Sequence, residues 1–437
     1  MDASPSHLTA QEFQQTDGLS DWRVLGNGAS TWYAATSHRE GARLVRALAG
    51  LAPEVDLDVD VRASGVRVRL PLTPEDGGFR EPHVVAARAV SAAAGDLGLR
   101  ADPGVVQDVQ LAFDVADQDA VSPFWQEVMA YEPVGDEDLM DPGRRHPPIW
   151  FQGLDAPRPL RNRLHLDAVT TQPEAAAMLA AARSLGASRV DEHGYYATVA
   201  DAEGNEVDIL PLPEGSDRWS DGTTEDWRLT FAAMACYPTG TPREAADLAE
   251  AVAALADEAG LPVAIDVRPG LLTIDTGKDR WEMDEGYQPL AARIQEAARG
   301  LGLTADVTRP RFVQLGIDAV DIAAVRAFWR VALGYEDDPR PHLTDIGDPR
   351  QLNLVLFFQD LDPADEARRA QRNRIHLDVF VPHDVARGRV DAILAAGGRM
   401  VRDQFPEWCT IADPEGNEVD IAVSPGREER WLEKHPD

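Results

Sequence analysis

The stretch VQLAFDVADQDAVSPFW at 109–125 returns as VQLGIDAVDIAAVRAFW at 313–329, and this repetition decides the reading of the chain. Working outward, NRLHLD at 162–167 returns as NRIHLD at 373–378, and DAEGNEVDI at 201–209 as DPEGNEVDI at 413–421. Three landmarks in the same order mark an internal duplication. The segments ahead of each copy also match: DGLSDWRV at 17–24 answers DGTTEDWRL at 221–229, and each leads into an Ala-rich amphipathic stretch, at 42–52 and 245–260. The architecture is A–B–A′–B′, with modules at 8–101, 105–213, 225–306 and 309–424. The joints carry Pro and Gly near 102–104, 211–216 and 308–310.

Local patterning fills in each module. In A a helix at 41–51 precedes two alternating runs around Ala63-Ser64-Gly65, which predict a hairpin, and a second helix follows at 82–97. A′ repeats this, turning at Pro269-Gly270, with a helix at 287–300. B opens with a strand at 106–114 and a helix at 118–130 that carries Val121, Phe124, Trp125 and Val128 at helical spacing. Strands at 148–153, 163–169, 188–191, 195–200 and 205–210 and a helix at 173–185 complete it, and B′ follows the same plan. The fold class is α+β with mostly antiparallel sheet. Strand alternation puts Arg163, His165 and Asp167 on one face and Leu164, Leu166 and Ala168 on the other. Likewise Arg374, His376 and Asp378 oppose Ile375, Leu377 and Val379. Gln110 and Asp114 oppose Val109, Leu111 and Phe113, and Glu206 and Asp208 oppose Val207 and Ile209. Each strand has one apolar packing face and one polar face suited to a lined cavity.

Composition excludes some functions. With 42 Lys and Arg against 75 Asp and Glu, the net charge is −33. Nucleic acid and anionic membrane surfaces are disfavoured as partners, because both need a positive face. Two cysteines, Cys236 and Cys409, build no disulfide framework and fit a reducing, cytoplasmic setting. The start, MDASPSHLTAQEF, lacks the apolar run of a signal peptide, and no stretch is long and apolar enough to span a membrane.

The B modules resemble the vicinal oxygen chelate family, in its glyoxalase and bleomycin-resistance-like branch. The opening strand with Gln110 seven residues before Asp117, the R-x-H-L-D strand and the closing D-x-E-G-N-E hairpin carry the resemblance. It implies paired βαβββ units curled into a cup, with metal ligands on the strands that open and close the units. Carried over residue by residue, the ligand positions are Gln110, Gln152, His165 and Asp208 in B, and Gln314, Gln359, His376 and Asp420 in B′. Gln152 and Gln359 are placed from the W-F-Q and F-F-Q runs. One imidazole, two amides and one carboxylate form a weaker set than the family's usual His and Glu. The implied cofactor is a divalent ion such as Mn, Mg or Fe, with tight Zn disfavoured. The A modules resemble pterin-4a-carbinolamine dehydratase in the D-W motif, the hairpin and the flanking helices. The histidines of that enzyme are missing: the two locations read Pro53-Glu54-Val55 and Thr73-Pro74 in A, and Gly260-Leu261-Pro262 and Thr276-Gly277 in A′. Modules without an imidazole there should lack the dehydratase chemistry and serve as structural or dimer-forming units.

The functional expectation is a small-molecule-binding protein with two cups centred on His165 and His376. It is either a metal-dependent lyase, isomerase or dioxygenase acting on an oxygenated metabolite, or a metal-free sequestering protein. Arg163 and Arg374 are candidates to clamp a carboxylate ligand beside Asp167 and Asp378, or to ion-pair with those aspartates. Both histidines could equally be hydrogen-bonded core residues. Monomer and homodimer both stay open, since duplication can supply within one chain the pairing that a dimer would otherwise provide.

Overall fold

The computed structural model describes residues 7–51, 53–72 and 76–434; the Thr73-Pro74 location named above lies outside them. Modules A and A′ merge into one nine-stranded sheet. The two hairpins, Asp58–Arg62 with Gly65–Pro71 and Ala264–Arg268 with Leu271–Asp275, form as expected. They join edge to edge through the antiparallel pairs Val61 with Ile265 and Asp60 with Asp266. The helices His38–Ala49 and Pro242–Ala259 pack together on one face of this sheet. His38 Nδ1 lies 2.7 Å from Asp257 Oδ1 across that seam. Helix–hairpin–helix understates each module, because strands Gly28–Ala34 and Ala232–Pro238 also belong to the sheet. Six of the seven residues in each are buried, so both faces are covered and no alternation reveals the strand.

Each B module holds two βαβββ units. In B these run from the strand Asp108–Val115 to Ile149–Gly153 and from Leu164–Thr170 to Glu206–Leu210. In B′ they run from Arg311–Ala319 to Val355–Asp360 and from Ile375–Phe380 to Glu418–Ala422. The units do not pair within their own module. The second unit of B joins the first unit of B′ in one eight-stranded sheet, through His165 opposite Gly316 and Asp167 opposite Gln314. The second unit of B′ joins the first unit of B in the other, through His376 opposite Ala112 and Asp378 opposite Gln110. This corrects the ligand grouping expected from sequence, where each module kept its own set. Gln314 and Gln359 belong with His165 and Asp208, and Gln110 and Gln152 belong with His376 and Asp420.

The repeated motifs hold this exchange in place. Arg374 of B′ crosses to B, where its Nε donates to Asn205 Oδ1 at 2.9 Å and its Nη atoms donate to the carbonyls of Arg158, Leu160 and Gly204. Arg163 of B crosses the other way, donating to Asn417 Oδ1 at 2.9 Å and to the carbonyls of Arg368, Arg369 and Gln371. Asn162 and Asn373 complete each knot, since their side-chain oxygens accept from the backbone N–H of Arg374 and Arg163. In the closing hairpins, Asp201 and Asp413 accept from the indoles of Trp125 and Trp329. Glu203 and Glu415 take up the backbone N–H groups of 116–117 and 320–321, just ahead of the first helix of each module. Gly204 and Gly416 make the turns at φ +80° and +88°.

Arg144 and Arg145 of module B reach the sheet of the A modules, where they bond Asp58, Asp266 and Asp275 within a buried ion network. Arg67 and Arg268 both bond Asp60 at 2.7 Å, while Arg62 and Arg145 bond Asp266 at 2.7 Å. Burial pushes Asp60 up, but Arg268, Arg67 and Arg62 outweigh it and hold the carboxyl well below the usual range.

Candidate functional site

The polar strand faces do what alternation predicts: Leu164, Leu166 and Ala168 enter the core, and His165 and Asp167 point into the cup, 5% and 7% exposed. The parallel pairing of Leu164–Thr170 with Glu206–Leu210 sets Asp167 level with Asp208. His165, Asp167 and Asp208 each offer a ligand atom within 4.8 Å of the others. His165 Nε2 stands 3.7 Å from Asp167 Oδ1. Gln314 Nε2 donates to Asp167 Oδ2 at 2.7 Å, and Thr198 Oγ1 donates to Asp208 Oδ1 at 2.6 Å. Asp167 Oδ1 and Gln314 Oε1 are buried and have no hydrogen-bond partner among the described residues. Burial first, and the neighbouring Asp208 charge second among the raising effects, push the Asp167 carboxyl up to about 6, against the pull of His165, Gln314 and Lys278.

The second cup repeats the arrangement with His376, Asp378 and Asp420, again within 4.8 Å of one another. His376 Nε2 is 3.5 Å from Asp378 Oδ1 and 3.5 Å from Gln152 Nε2. Asp378 Oδ1 and Asp420 Oδ1 are buried without partners among the described residues. Both carboxyls are pushed upward, first by burial; at Asp378 the Asp420 charge adds to it, and at Asp420 the Glu418 charge does.

Several expectations change here. Arg163 and Arg374 neither line a cup nor pair with Asp167 or Asp378; their guanidiniums are consumed by the inter-module knots. Asp167 and Asp378, expected beside an organic ligand, also belong to the His–Asp groups that could hold a cation. Gln110 turns its amide to Asp138 Oδ1 at 3.1 Å, and Gln152 bonds Asp114 as well as approaching His376. Gln359 is exposed and makes no bond to His165 among the described residues. Sequence reading missed Lys278, which faces the first cup from module A′ with its ammonium 5.5 Å from the Phe231 ring and 5.9 Å from Phe357. No motif marks it, because it arrives from another module. A cavity of about 260 Å³ lies between the A sheet and the second cup's opening strand, bounded by Gln110 and Phe380, and neither His cluster lines it.

Gly316 makes the first cup possible, because a Cβ there would meet His165 Cε1 at 2.3 Å and the Phe357 ring at 2.7 Å. A Gly316→Ala protein should therefore displace His165, and with it any cation that the first cup takes up, while leaving the second cup as it is. Metal titration checks this, and two undisturbed sites would count against the geometry.

A glyoxalase-like domain model matches residues 110–210 and 314–422. Among solved structures, glyoxalase I from Zea mays is similar at 11% identity, with a TM-score of 0.37 over 76% of this chain and 98% of that one. A hypothetical protein from S. aureus matches at 15% identity and a TM-score of 0.19, over 25% of this chain and 89% of that one. No curated protein matches. No helix among the described residues is long and apolar enough to cross a membrane. The two matched segments are the two modules whose exchanged units form the cups, and the chain therefore carries two glyoxalase-like domains.

Proposed function

We propose that each cup holds a divalent cation and that the protein binds a small oxygenated metabolite there. The observation that carries this reading is the pair of partnerless buried carboxylate oxygens facing an imidazole, Asp378 Oδ1 and Asp420 Oδ1 beside His376, with Asp167 Oδ1 beside His165. Buried anionic oxygens are costly unless paired or coordinating a metal. One imidazole and two carboxylates suit Mn²⁺, Fe²⁺ or Zn²⁺, and the oxygen-rich set also admits Mg²⁺. This donor set is richer in charge than the set of one carboxylate and two amides carried over by resemblance. His165, Asp167 and Asp208 would hold one ion, and His376, Asp378 and Asp420 the other. A bound cation of this kind polarises an oxygen of the ligand as a Lewis acid. The chain's own part is to fix the ligand geometry: Thr198 orients Asp208, Gln314 orients Asp167, and Phe357 packs edge-on against the His165 ring at 5.6 Å. Lyase, isomerase and dioxygenase chemistry all fit such a centre. Equilibrium dialysis of chelator-treated protein against Mn²⁺ is the test: two ions per chain support the reading, and none removes it.

A metal-free sequestering role is favoured by one observation. Gln314 and Gln110 spend their amide N–H groups on Asp167 and Asp138, partly satisfying carboxylates without any ion. Ligand binding that survives exhaustive chelation would select it. A cytoplasmic setting belongs to the same proposal and fits two free, buried cysteines. We read A and A′ as degenerate dehydratase-like modules with a structural or dimer-forming role, and their hairpins pair with each other within one chain. Turnover of a pterin carbinolamine should not exceed the uncatalysed rate; activity abolished by changes in either module would contradict that.

A further inference from the structure

The A modules set different residues beside the two cups. Hairpin register makes Arg67, opposite Asp60, the counterpart of Thr273, opposite Asp266. By the same register Arg69 corresponds to Asp275, and Leu72 to Lys278. Module A therefore presents two arginines and a leucine where A′ presents a threonine, an aspartate and a lysine.

Beside the His165 cup, Lys278 forms an ion pair with Asp345 and sits against two phenylalanine rings. The space beside it, lined by Phe312 and also reached by Arg67, measures about 80 Å³. Beside the His376 cup the corresponding space is a cavity of about 260 Å³, bounded by Arg67, Arg69, Leu72, Asp108, Gln110 and Phe380. Gln110 stands level with Asp378 in the paired strands, so this cavity shares one strand wall with the His376 cup, although His376, Asp378 and Asp420 do not line it.

The two arginines have donors to spare. Arg67 is 4% exposed, and among the described residues its only hydrogen bond is from Nε to Asp60, leaving Nη1 and Nη2 unspent. Arg69 uses Nη2 on Asp58 and on the Arg144 carbonyl, while its Nε is buried with no partner among the described residues. Among the acids on the cavity wall, Asp108 lends its charge to both arginines without bonding either among the described residues. Asp141 is spent on the backbone N–H groups of Gly143, Arg145 and His146. Glu132 is exposed at the rim. Two adjacent guanidiniums with free N–H groups in a half-open cavity match the geometry of a carboxylate or phosphoryl group.

We propose that this cavity binds a small oxyanion on Arg67 and Arg69. The cups are then unequal: the His376 cup admits an anionic metabolite, and Lys278 closes the His165 cup to it. The inference rests on reading the cups as small-molecule sites, but it does not need the cation.

The test is calorimetric titration of the chelator-treated full chain with malonate and with phosphate, against chloride at equal ionic strength. Both oxyanions should bind more tightly than chloride, and the tighter of the two identifies a carboxylate or a phosphoryl ligand. Leu72→Glu, at a half-buried position that leaves the ion network intact, and Arg67→Gln should each weaken binding at least tenfold. Should Arg67→Gln fail to fold, Leu72→Glu decides alone. Mn²⁺ uptake, measured on the same proteins, separates the two readings. Oxyanion binding without Mn²⁺ uptake removes the cation and keeps this proposal. Binding no tighter than chloride, or affinity unchanged in the folded variants, overturns it.

Discussion

An Arg374→Met protein loses about 2–6 kcal/mol of stability, the cost of two buried carbonyls left without a donor. Arg374 is 2% exposed and donates to one side chain and three carbonyls, all in the opposite module. Methionine keeps the aliphatic stem and cannot donate, so the carbonyls of Arg158 and Gly204 lose their partner, while Asn205 Oδ1 keeps Asn162 and the Leu160 carbonyl keeps Gln371. Each such group costs about 1–3 kcal/mol when left unsatisfied. Arg163→Met should cost a similar amount, because its bonds to Asn417 and the carbonyls of Arg368, Arg369 and Gln371 mirror those of Arg374. Urea unfolding followed by the fluorescence of the buried tryptophans reads the loss. A midpoint shift worth under about 1 kcal/mol in both variants would show that the knots do not hold the exchanged units together. A clamp on a ligand carboxylate predicts the opposite pattern, with weakened ligand binding and near-parental stability.

That contrast explains what the sequence could convey. Duplication, module order, strand faces and the inward aim of His165 and His376 all follow from short-range pattern, and periodicity is set locally by the backbone. Partner choice is not local. Both opening strands carry the same pattern, so nothing in 109–115 says whether it pairs with 164–170 or with 375–380. The N-R-x-H-L-D run looks like one functional block on a single strand, yet its parts divide. Asn and Arg fasten the modules together, and His and Asp face the cup. The strands at 28–34 and 232–238 stayed hidden for another reason, since burial on both faces erases the period-two signal. Lys278 and Arg67 escaped notice because each reaches a cup built from other modules.

Replacing His165 and His376 together by alanine should abolish cation uptake, while either single replacement removes one site and leaves the other. The exchange of units makes this sharper than a test on two separate domains. Each cluster draws its imidazole and both carboxylates from one module and its amide neighbours from the other. Without the imidazole, two crowded aspartates remain in each cup, with one partnerless oxygen in the first and two in the second, a poorer set for a transition metal and a site still burdened by charge repulsion. Loss of a ligand should lower affinity by at least the roughly 10–100-fold reported for outer-shell changes. The two singles need not match in their effect on organic anions. His376→Ala lies beside the Arg67 and Arg69 cavity, and His165→Ala lies beneath Lys278. Mn²⁺ bound per chain, read with malonate affinity on the same four proteins, tests both points. A folded double variant with unchanged metal content and unchanged malonate affinity would take both cups out of the account.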